Sequence, residues 1–269
     1  MKPMKPHPHY QPVTDLLRAV SQDIVLPYFQ NLKQSEIEEK SPGDLVTVAD
    51  KLSEEKLSEG LKRILPEATI VGEEACAKNP AILDNLSNEA VWIIDPIDGT
   101  GNFASGKTPF GILIALAEAD ETIAGWIFDP IRNRICHAFK GHGATIDGQR
   151  TISNGKVVGK PKAALATGFM TPEQRAKTIT QATPHYQIVP IPKCAAEQYP
   201  LLASGDHHVT IFERTLAWDH AAGILFLNEA GGKACRWDGT PYRPSNDTTG
   251  MLGASSPKLW EEARQIFDR

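Results

Sequence analysis

The sequence predicts an α/β protein of the α+β type, with an antiparallel sheet in its N-terminal half and a mostly parallel sheet in its C-terminal half. Up to about residue 150, helical patterns are followed by a series of apolar strands, whereas beyond Pro161 strand and helix patterns alternate. Such alternation is typical of parallel sheets covered by helices. This change in the order of predicted helices and strands divides the chain into an N-terminal part, residues 1–150, and a C-terminal part, residues 151–269. With 269 residues, 41% of them apolar, the chain can bury a substantial core.

The N-terminal part begins with two amphipathic helices. Apolar residues at helical spacing predict the first from residue 13 to about residue 29, and Leu57, Leu61 and Ile64 mark the buried face of the second. Polar segments without a helical or strand pattern are predicted to be loose or solvated, at residues 1–12, 36–40 and 75–90. Apolar, β-rich segments predict the strands, which we place at residues 69–71, 91–94, 110–117, 122–128 and 134–139.

The C-terminal part alternates short apolar strands with helices. We place the strands at residues 163–167, 186–191, 208–212 and 249–254. Helices are predicted between them, at residues 172–181, 194–204 and 220–230. A last helix begins at Ser256-Pro257, because Ser is a favoured cap and Pro a favoured first helical residue.

Composition and charge exclude several classes of protein. The net charge of −5 argues against nucleic acid as the main partner, because such partners usually leave a basic footprint. No apolar run reaches the length of a membrane span, and no apolar segment follows the N-terminal lysines as a secretory signal requires. The four cysteines are far apart, which predicts reduced thiols in a cytoplasmic protein without a zinc site or disulfides.

Carboxylates follow apolar strands at two places. Asp95 and Asp98 come directly after the strand at 91–94, and Glu73 and Glu74 follow the strand at 69–71. Buried carboxylates at close range repel each other, and a divalent cation relieves that cost. Oxygen ligands of this kind suit Mg²⁺, Mn²⁺ or Ca²⁺ rather than zinc.

Each of these acids has an ordinary interpretation when it is taken alone. An Asp-Gly pair such as Asp98-Gly99 is usually a turn, and adjacent glutamates are usually a solvated surface pair. Asp219 stands at the start of a predicted helix, where an acid is often a cap. Asp44 and Asp50 would likewise be turn and cap residues, so the order and context of the whole set must decide.

Three segments of the chain resemble the signature segments of the inositol monophosphatase family. They read Gly-Glu-Glu at 72–74, Trp-Ile-Ile-Asp-Pro-Ile-Asp-Gly-Thr-Gly-Asn-Phe at 92–103, and Trp-Asp-His-Ala-Ala-Gly at 218–223. The segment from Asp44 to Asp50, preceded by Lys40, resembles that family's catalytic loop. The likeness runs from about residue 13 to the C-terminus.

Two other motifs fit less well. Haloacid-dehalogenase-type phosphatases carry Asp-x-Asp-Gly-Thr in the first strand of their fold. Here two residues separate Asp95 from Asp98, and the segment lies after residue 90. An EF-hand needs acids at loop positions around Asp98-Gly99 that this chain does not have.

The resemblance implies a layered αβαβα sugar-phosphatase fold with two to three Mg²⁺ ions in a cleft between its two parts, and Mn²⁺ as a substitute. Glu73, Asp95 and the carbonyl of Ile97 would hold the first ion. Asp95, Asp98 and Asp219 would hold the second, and Glu73 with water would hold a weaker third ion.

The resemblance also implies catalytic and phosphate-binding roles. Thr100, paired with Asp50, would orient and deprotonate the attacking water, with Glu73 beside them. The backbone N–H groups of Gly99, Thr100 and Gly101 would hold the phosphate, because free N–H groups at a helix start bind anions. Lys40 would line the acidic cleft.

The substrate side departs from the family pattern. Where members with inositol preference carry Arg followed by Gly-Ser-Ala, this chain reads Pro-Lys-Cys-Ala-Ala-Glu at 192–197. The family's sugar-contacting Glu lies seven residues before the last motif Asp, whereas Glu213 lies six before Asp219. Lys193, Glu197 and Glu213 are the candidate substrate contacts.

The function implied is Mg²⁺-dependent hydrolysis of small phosphate monoesters by metal-activated water, with inositol 1-phosphate as the default substrate. Histidinol phosphate, fructose 1,6-bisphosphate and 3′-phosphoadenosine 5′-phosphate are alternatives within the family. A non-catalytic metal- and phosphate-binding module is an alternative of another class. The resemblance also implies a homodimer.

Overall fold

The structure is a computed structural model that describes residues 6–41, 43–153 and 155–267. Its helices are α1 Tyr10–Val20, α2 Leu26–Tyr28, α3 Val48–Ile64, α4 Glu73–Lys78, α5 Thr100–Ala104, α6 Pro172–Ala182, α7 Ala195–Ser204, α8 Ala217–Glu229 and α9 Pro257–Ile266. A π-helical segment, Ser21–Val25, joins α1 to α2, and short 3₁₀ helices lie at Gln34–Glu36 and Pro80–Ser87.

The strands of the N-terminal part are β1 Ile37–Ser41, β2 Asp44–Thr47, β3 Thr69–Gly72, β4 Ala90–Asp98, β5 Gly111–Glu118, β6 Glu121–Asp129, β7 Arg134–Phe139, β8 Gly143–Ile146 and β9 Gln149–Thr151. Those of the C-terminal part are β10 Lys162–Ala166, β11 Gln187–Val189, β12 Val209–Phe212, β13 Lys233–Cys235 and β14 Met251–Ala254. The predicted strands are therefore present within a few residues, and the division of the chain near residue 150 stays a prediction.

The larger sheet has the order β3-β4-β5-β6-β7-β8-β9 and is antiparallel except for the parallel pair β3–β4. Its central strands are buried on both faces. Along β4, Trp92 and Ile94 pack with α1 and α3, whereas Val91 and Ile93 pack with α7 and α8. Successive side chains of a strand point to opposite faces, so burial on both faces explains the unbroken apolar run in the sequence.

The smaller sheet has the order β11-β10-β12-β14-β13. Strands β11, β10 and β12 are parallel, but β14 pairs antiparallel with both β12 and β13. The sheet is thus mixed rather than mostly parallel. Helix α8 carries the chain from β12 to β13 in the same direction, and the loop at 236–250 then returns the chain so that β14 runs back between them.

The elements stack in five layers, which confirms the predicted αβαβα arrangement. Helices α1 and α3 cover the outer face of the larger sheet, and α7 and α8 lie between the two sheets. Helices α6 and α9 cover the far face of the smaller sheet, where Trp260 of α9 is fully buried. Within the described ranges, no helix has the length and apolar character needed to cross a membrane. All four cysteines are free and buried.

Several predicted polar segments are more ordered than expected. Residues 37–41 form β1, which pairs with β2, although most of its side chains are exposed as predicted. Helix α4 and a 3₁₀ helix occupy most of the connection at 75–90. These elements are short, so they leave no periodic apolar pattern in the sequence.

The N-terminal segment is also packed rather than loose, although residues 1–5 lie outside the described residues. The backbone N–H of His7 donates to Nε2 of His137 at 3.3 Å, and the ring of His7 packs edge-on against Trp126. The ring of Tyr10 lies 4.8 Å from that of His137. The segment 6–12 is held because these rings cover one face of the larger sheet.

We expect the stability of the fold to fall in mild acid through His137. Burial lowers the pKa of His137 to about 4, below the value of about 6.5 expected in the unfolded chain. The stability that burial of the neutral His137 ring allows is therefore fully present above pH 6.5 and is lost as the pH falls towards 4. We measure the free energy of unfolding in urea at pH 7.5 and at pH 5. Between these pH values it should fall less for His137→Gln than for the wild type, by on the order of 1 kcal/mol. The variant His185→Gln, at an exposed position, is the control and should lose as much stability as the wild type between the two pH values. The prediction would be contradicted if His137→Gln also lost as much stability as the wild type.

Candidate active site

Three of the predicted acids converge at one end of the larger sheet. Glu73 begins α4 directly after β3, Asp95 lies in β4, and Asp219 lies in the first turn of α8, whose cap position is Leu216 rather than Asp219. One carboxylate oxygen from each of the three acids lies within 4.8 Å of the other two. The parallel pairing of β3 and β4 places their carboxyl ends at the same edge, and α8 brings Asp219 to that edge from the other part of the chain.

An irregularity in β4 separates Asp95 from Asp98. Asp95 pairs with Leu113 and Asp98 with Gly111, and the register shifts between them. The backbone N–H of Ile97 turns back to donate to Asp95 Oδ1 at 3.1 Å. Asp98 Oδ2 accepts from the N–H of Ala196 at 2.6 Å, so the start of α7 meets this carboxylate.

The pKa values of these carboxyl groups are raised, chiefly because burial disfavours their charged forms. Burial and the charge of Glu73 raise the pKa of Asp95 and of Asp219 well above the usual range. Burial also raises the pKa of Asp98, against the hydrogen bond from Ala196. A set of buried carboxylate oxygens with a shared excess of negative charge fits a hard divalent cation, which takes oxygen ligands and supplies the missing positive charge.

Asp50 and Thr100 lie beside the acids and contact each other. Asp50 is the third residue of α3, and its Oδ2 accepts from the backbone N–H and the hydroxyl of Thr47 in a capping box. The hydroxyl of Thr100 lies 3.2 Å from Asp50 Oδ1 and 2.9 Å from the carbonyl oxygen of Ile97. Burial raises the pKa of Asp50 to about 7.

The predicted phosphate-binding residues form the turn from β4 into α5. Gly99 adopts φ +82°, a left-handed conformation that side chains other than glycine rarely take. Gly99, Thr100 and Gly101 all line a cleft of about 670 Å³ that also contains Asp95 and Asp219. A side chain added at Gly101 would meet no atom within 4 Å, so the backbone there is open to the cleft.

Lys40 reaches the acids from β1. Its ammonium lies 2.7 Å from Glu73 Oε1 and 3.0 Å from Glu74 Oε1. Although burial acts against the charged form, the charges of Glu73 and Glu74 raise the pKa of Lys40. The hairpin of β1 and β2 therefore places a positive charge against Glu73 and Glu74.

Glu54 is a site residue that the sequence analysis missed. It lies four residues after Asp50 on α3, which places both side chains on one helix face. Its carboxylate is buried and accepts from the N–H groups of Glu74 and Ala75 at 2.7 and 2.8 Å. It thereby holds the start of α4, which carries Glu73. The helical spacing from Asp50 was the available signal, but nothing in the sequence indicated the contact with α4.

We expect Gly72→Ala to disturb this arrangement. A Cβ at Gly72 would lie 2.4 Å from the carboxyl carbon of Glu54. Such a contact forces a shift of the buried carboxylate and of α4, with an expected loss of about 1–3 kcal/mol in the free energy of unfolding. Urea denaturation measures the loss, and Gly168→Ala is the control because its Cβ meets no atom within 4 Å. Equal stability of the two variants would show that α4 adapts freely.

The structure brings together two of the three predicted substrate contacts. Lys193 and Glu213 line the cleft, together with Phe169 and Arg214, which the sequence analysis did not select. Glu197 is not among the lining residues, because it points to Arg134 Nη2 at 2.5 Å and to Arg132 Nη1 at 3.2 Å. Phe169 and Arg214 come from loops that follow β10 and β12, and only the direction of those strands brings the loops to the cleft.

Comparison with known proteins shows which proteins this chain is similar to. The profile of the Inositol monophosphatase family matches residues 8–267. The chain is 34% identical over 231 residues to the Nus factor SuhB of Pasteurella multocida, covering 83% of this chain and 82% of that protein. It is 32% identical over 217 residues to the inositol-1-monophosphatase of Bacillus subtilis, covering 77% and 78%. The crystal structure of the extragenic suppressor protein suhB from Bartonella henselae has the same fold, with a TM-score of 0.80 at 21% identity and coverage of 95% and 96%.

Proposed function

Because the chain belongs to the inositol monophosphatase family, we propose that it hydrolyses small phosphate monoesters in a Mg²⁺-dependent reaction. The observation that carries the proposal is the convergence of Glu73, Asp95 and Asp219 beside the contacting pair Asp50 and Thr100. Relatives carry the names of phosphatases and of a Nus factor. Catalysis by this chain therefore rests on its own site rather than on a relative's name.

The carboxylates would bind two Mg²⁺ ions. Glu73, Asp95 and the carbonyl of Ile97 would hold the first ion, and Asp95, Asp98 and Asp219 the second, with Mn²⁺ as a substitute and a weaker third ion at Glu73. When bound, such ions neutralise the phosphate and leaving-group charge and lower the pKa of a coordinated water. The cluster of Glu73, Asp95 and Asp219 and the raised pKa values of Asp95 and Asp219 support cation binding here, because a cation favours the charged carboxylates.

The remaining residues of the chain would orient the reactants. The hydroxyl of Thr100 would accept a hydrogen bond from the attacking water, and Asp50 would accept the hydroxyl proton of Thr100. The capping box at Thr47 supports this role because it fixes Asp50 Oδ2 and leaves Oδ1 facing Thr100. The backbone N–H groups at Gly99, Thr100 and Gly101 would hold the phosphate oxygens in the cleft.

Phosphate release from purified protein tests the proposal. The panel contains inositol 1-phosphate as the default substrate, with histidinol phosphate, fructose 1,6-bisphosphate and 3′-phosphoadenosine 5′-phosphate as the alternatives. We expect release in Mg²⁺ and none in EDTA, and we expect Ca²⁺ to inhibit because it accepts a looser geometry. Li⁺ inhibition is expected from the family resemblance.

Two outcomes would contradict the proposal. Full activity in EDTA would exclude a metal-dependent reaction. Absence of release from every substrate in Mg²⁺, with the protein folded, would favour a non-catalytic metal- and phosphate-binding module. The expected homodimer is a separate question, which sedimentation velocity answers.

A further inference from the structure

The start of α7 is capped by a carboxylate from another part of the chain. Cys194, at the N-cap position of α7, makes no side-chain hydrogen bond that caps the helix. The backbone N–H of Ala196 donates instead to Asp98 Oδ2 at 2.6 Å. The first N–H groups of a helix have no partner within the helix, and the helix dipole favours a negative charge in front of them. The carboxylate of Asp98 is therefore held by α7 as well as by β4.

The larger sheet makes room for this contact at Gly111. Asp98 of β4 pairs with Gly111 of β5. A Cβ added to Gly111 would lie 2.6 Å from the Cβ of Ala196 and 2.8 Å from the carbonyl oxygen of Phe128. Both distances are shorter than van der Waals contact, so a side chain at this position would push the start of α7 away from the sheet. The absence of a side chain lets Ala196 approach Asp98.

Four charged side chains attach the same turn of α7 to the hairpin of β6 and β7. Glu197 follows Ala196 directly, and its carboxylate lies 2.5 Å from Arg134 Nη2 and 3.2 Å from Arg132 Nη1. Asp129 lies 2.8 Å from Arg132 Nη1 and 3.8 Å from Arg134 Nη2. We call Asp129, Arg132, Arg134 and Glu197 the α7 anchor.

The α7 anchor is more than a set of exposed ion pairs. The side chains of Asp129, Glu197 and Arg134 are only 9%, 13% and 20% exposed, whereas that of Arg132 is 55% exposed. Ion pairs in water contribute little, but hydrogen bonds between a guanidinium and a carboxylate gain strength as they lose contact with solvent. None of the four residues is among those that line the cleft, so the α7 anchor acts on the site only through α7.

We infer that Glu197 and Arg134 are positioning residues, which hold α7 against Asp98 and so fix the orientation in which this carboxylate binds the second cation. The inference deepens the proposed function and rests on it. A ligand that is already oriented binds a cation more tightly than one that must be ordered on binding. Glu197, which the sequence predicted as a substrate contact, thus acts on a ligand of the cation instead.

Calorimetric titration of the metal-free protein with Mg²⁺ tests the inference without turnover. The hydrogen-bond partners of metal ligands typically change metal affinity by about 10–100-fold, and the α7 anchor lies one contact further out. We therefore expect Glu197→Gln and Arg134→Gln each to raise the Kd of one bound Mg²⁺ at least fivefold. Arg134→Lys keeps the charge but loses the planar fork, and it should still raise this Kd at least twofold.

The direction of the change in Arg134→Gln distinguishes positioning from an effect of charge alone. Removing the positive charge of Arg134 would strengthen cation binding if only the electrostatic potential mattered, whereas removing the negative charge of Glu197 would weaken it. Loss of positioning weakens binding in both variants. Unchanged or tighter binding in Arg134→Gln would therefore overturn the inference. If Arg134→Gln does not fold, Arg134→Lys decides in its place, and an unchanged Kd in that variant would overturn the inference.

Two further variants show whether the effect passes through α7 and Asp98. In the Asp98→Asn background, Glu197→Gln should change the remaining Mg²⁺ affinity less than twofold, and a fivefold change there would overturn the inference. Gly111→Ala should raise the same Kd at least fivefold without altering any charge, and an unchanged Kd would overturn the inference as well. If Gly111→Ala does not fold, the variants of Glu197 and Arg134 decide.

Glu261→Gln is the matched control for the loss of an ion pair. It breaks the pair of Glu261 with Lys233, whose charged atoms lie 2.7 Å apart, and neither residue is among those that line the cleft. This variant should keep the wild-type Kd for Mg²⁺. Equal weakening in Glu261→Gln would assign the effect to a general loss of stability and would overturn the inference.

Phosphate release separates failure of this inference from failure of the proposed function. Equal Mg²⁺ affinity in the wild type and in both anchor variants, with Mg²⁺-dependent release intact, would overturn the inference and leave the proposed function standing. The expected changes in Kd without release from any substrate would support the inference and contradict the proposed function. A wild type that binds no Mg²⁺ would overturn both. A change in KM at unchanged Mg²⁺ affinity would make Glu197 a substrate contact and overturn the inference.

Discussion

Asp95→Asn is expected to lower kcat by on the order of 10³-fold while the protein stays folded. Asp95 is the acid that both proposed ions share, and its side chain is buried within 4.8 Å of the carboxylates of Glu73 and Asp219. The amide keeps the shape of the carboxylate but removes its charge from both ion sites. The transition state therefore loses charge stabilisation. This loss should lower kcat and not only raise the Mg²⁺ concentration that is required for activity.

Steady-state phosphate release at saturating Mg²⁺ measures this effect. Asp23→Asn is the matched control, because it makes the same chemical change at an exposed position on the π-helical segment. A variant at Asp95 that keeps more than a tenth of the wild-type kcat would show that no shared ion sits there. Circular dichroism must show the same helical content in both variants for the comparison to hold.

Mg²⁺ is expected to raise the melting temperature of the wild type by about 5–10 °C at 100 times its Kd. A ligand at that concentration stabilises the native state by roughly 2.7 kcal/mol, and each kcal/mol corresponds to about 2–4 °C for a domain of this size. Without the ion, burial and the charge of Glu73 disfavour the charged forms of Asp95 and Asp219, which raises their pKa values. The cation offsets both effects only in the native state.

The pH dependence of the stability of the metal-free protein gives an independent check on the role of these carboxyl groups. A carboxyl group whose pKa is raised in the folded protein binds more protons than it does in the unfolded chain. The contribution of Asp95 and Asp219 to the stability of the metal-free wild type should therefore fall as the pH rises from about 4 through their raised pKa values. Metal-free Asp95→Asn should melt higher than the metal-free wild type at pH 8 and should show a smaller Mg²⁺ shift. A metal-free variant that melts lower would show that Asp95 is held by contacts other than a cation.

Local sequence patterns determined most of the elements correctly. The apolar runs of β4, β5 and β6 predicted buried strands, because a strand between two layers of helices needs apolar side chains on both faces. Ser256 and Pro257 predicted the start of α9, and the hydroxyl of Ser256 accepts from Leu259 N there. Each of these signals depends on residues that are neighbours in the chain.

The acids of the candidate site were also predictable, for a related reason. Glu73 and Asp95 follow or end apolar strands, and a carboxylate in such a place is costly without a partner. The sequence by itself thus indicates a cation site. Their convergence to within 4.8 Å depends on the pairing of β3 with β4 and on the placement of α8, which only the fold supplies.

Other features were decided by the tertiary structure alone. The sequence determined the apolar strands, several helix starts and the acids, because periodicity, capping and burial act through residues close together in the chain. The tertiary structure decided that Glu54 holds α4, that Glu197 turns to Arg132 and Arg134, and that Phe169 meets Arg214. Each of those contacts joins segments that are distant in the chain, and their side chains are polar or exposed. Such residues leave no apolar period, so their partners are set only when the layers pack.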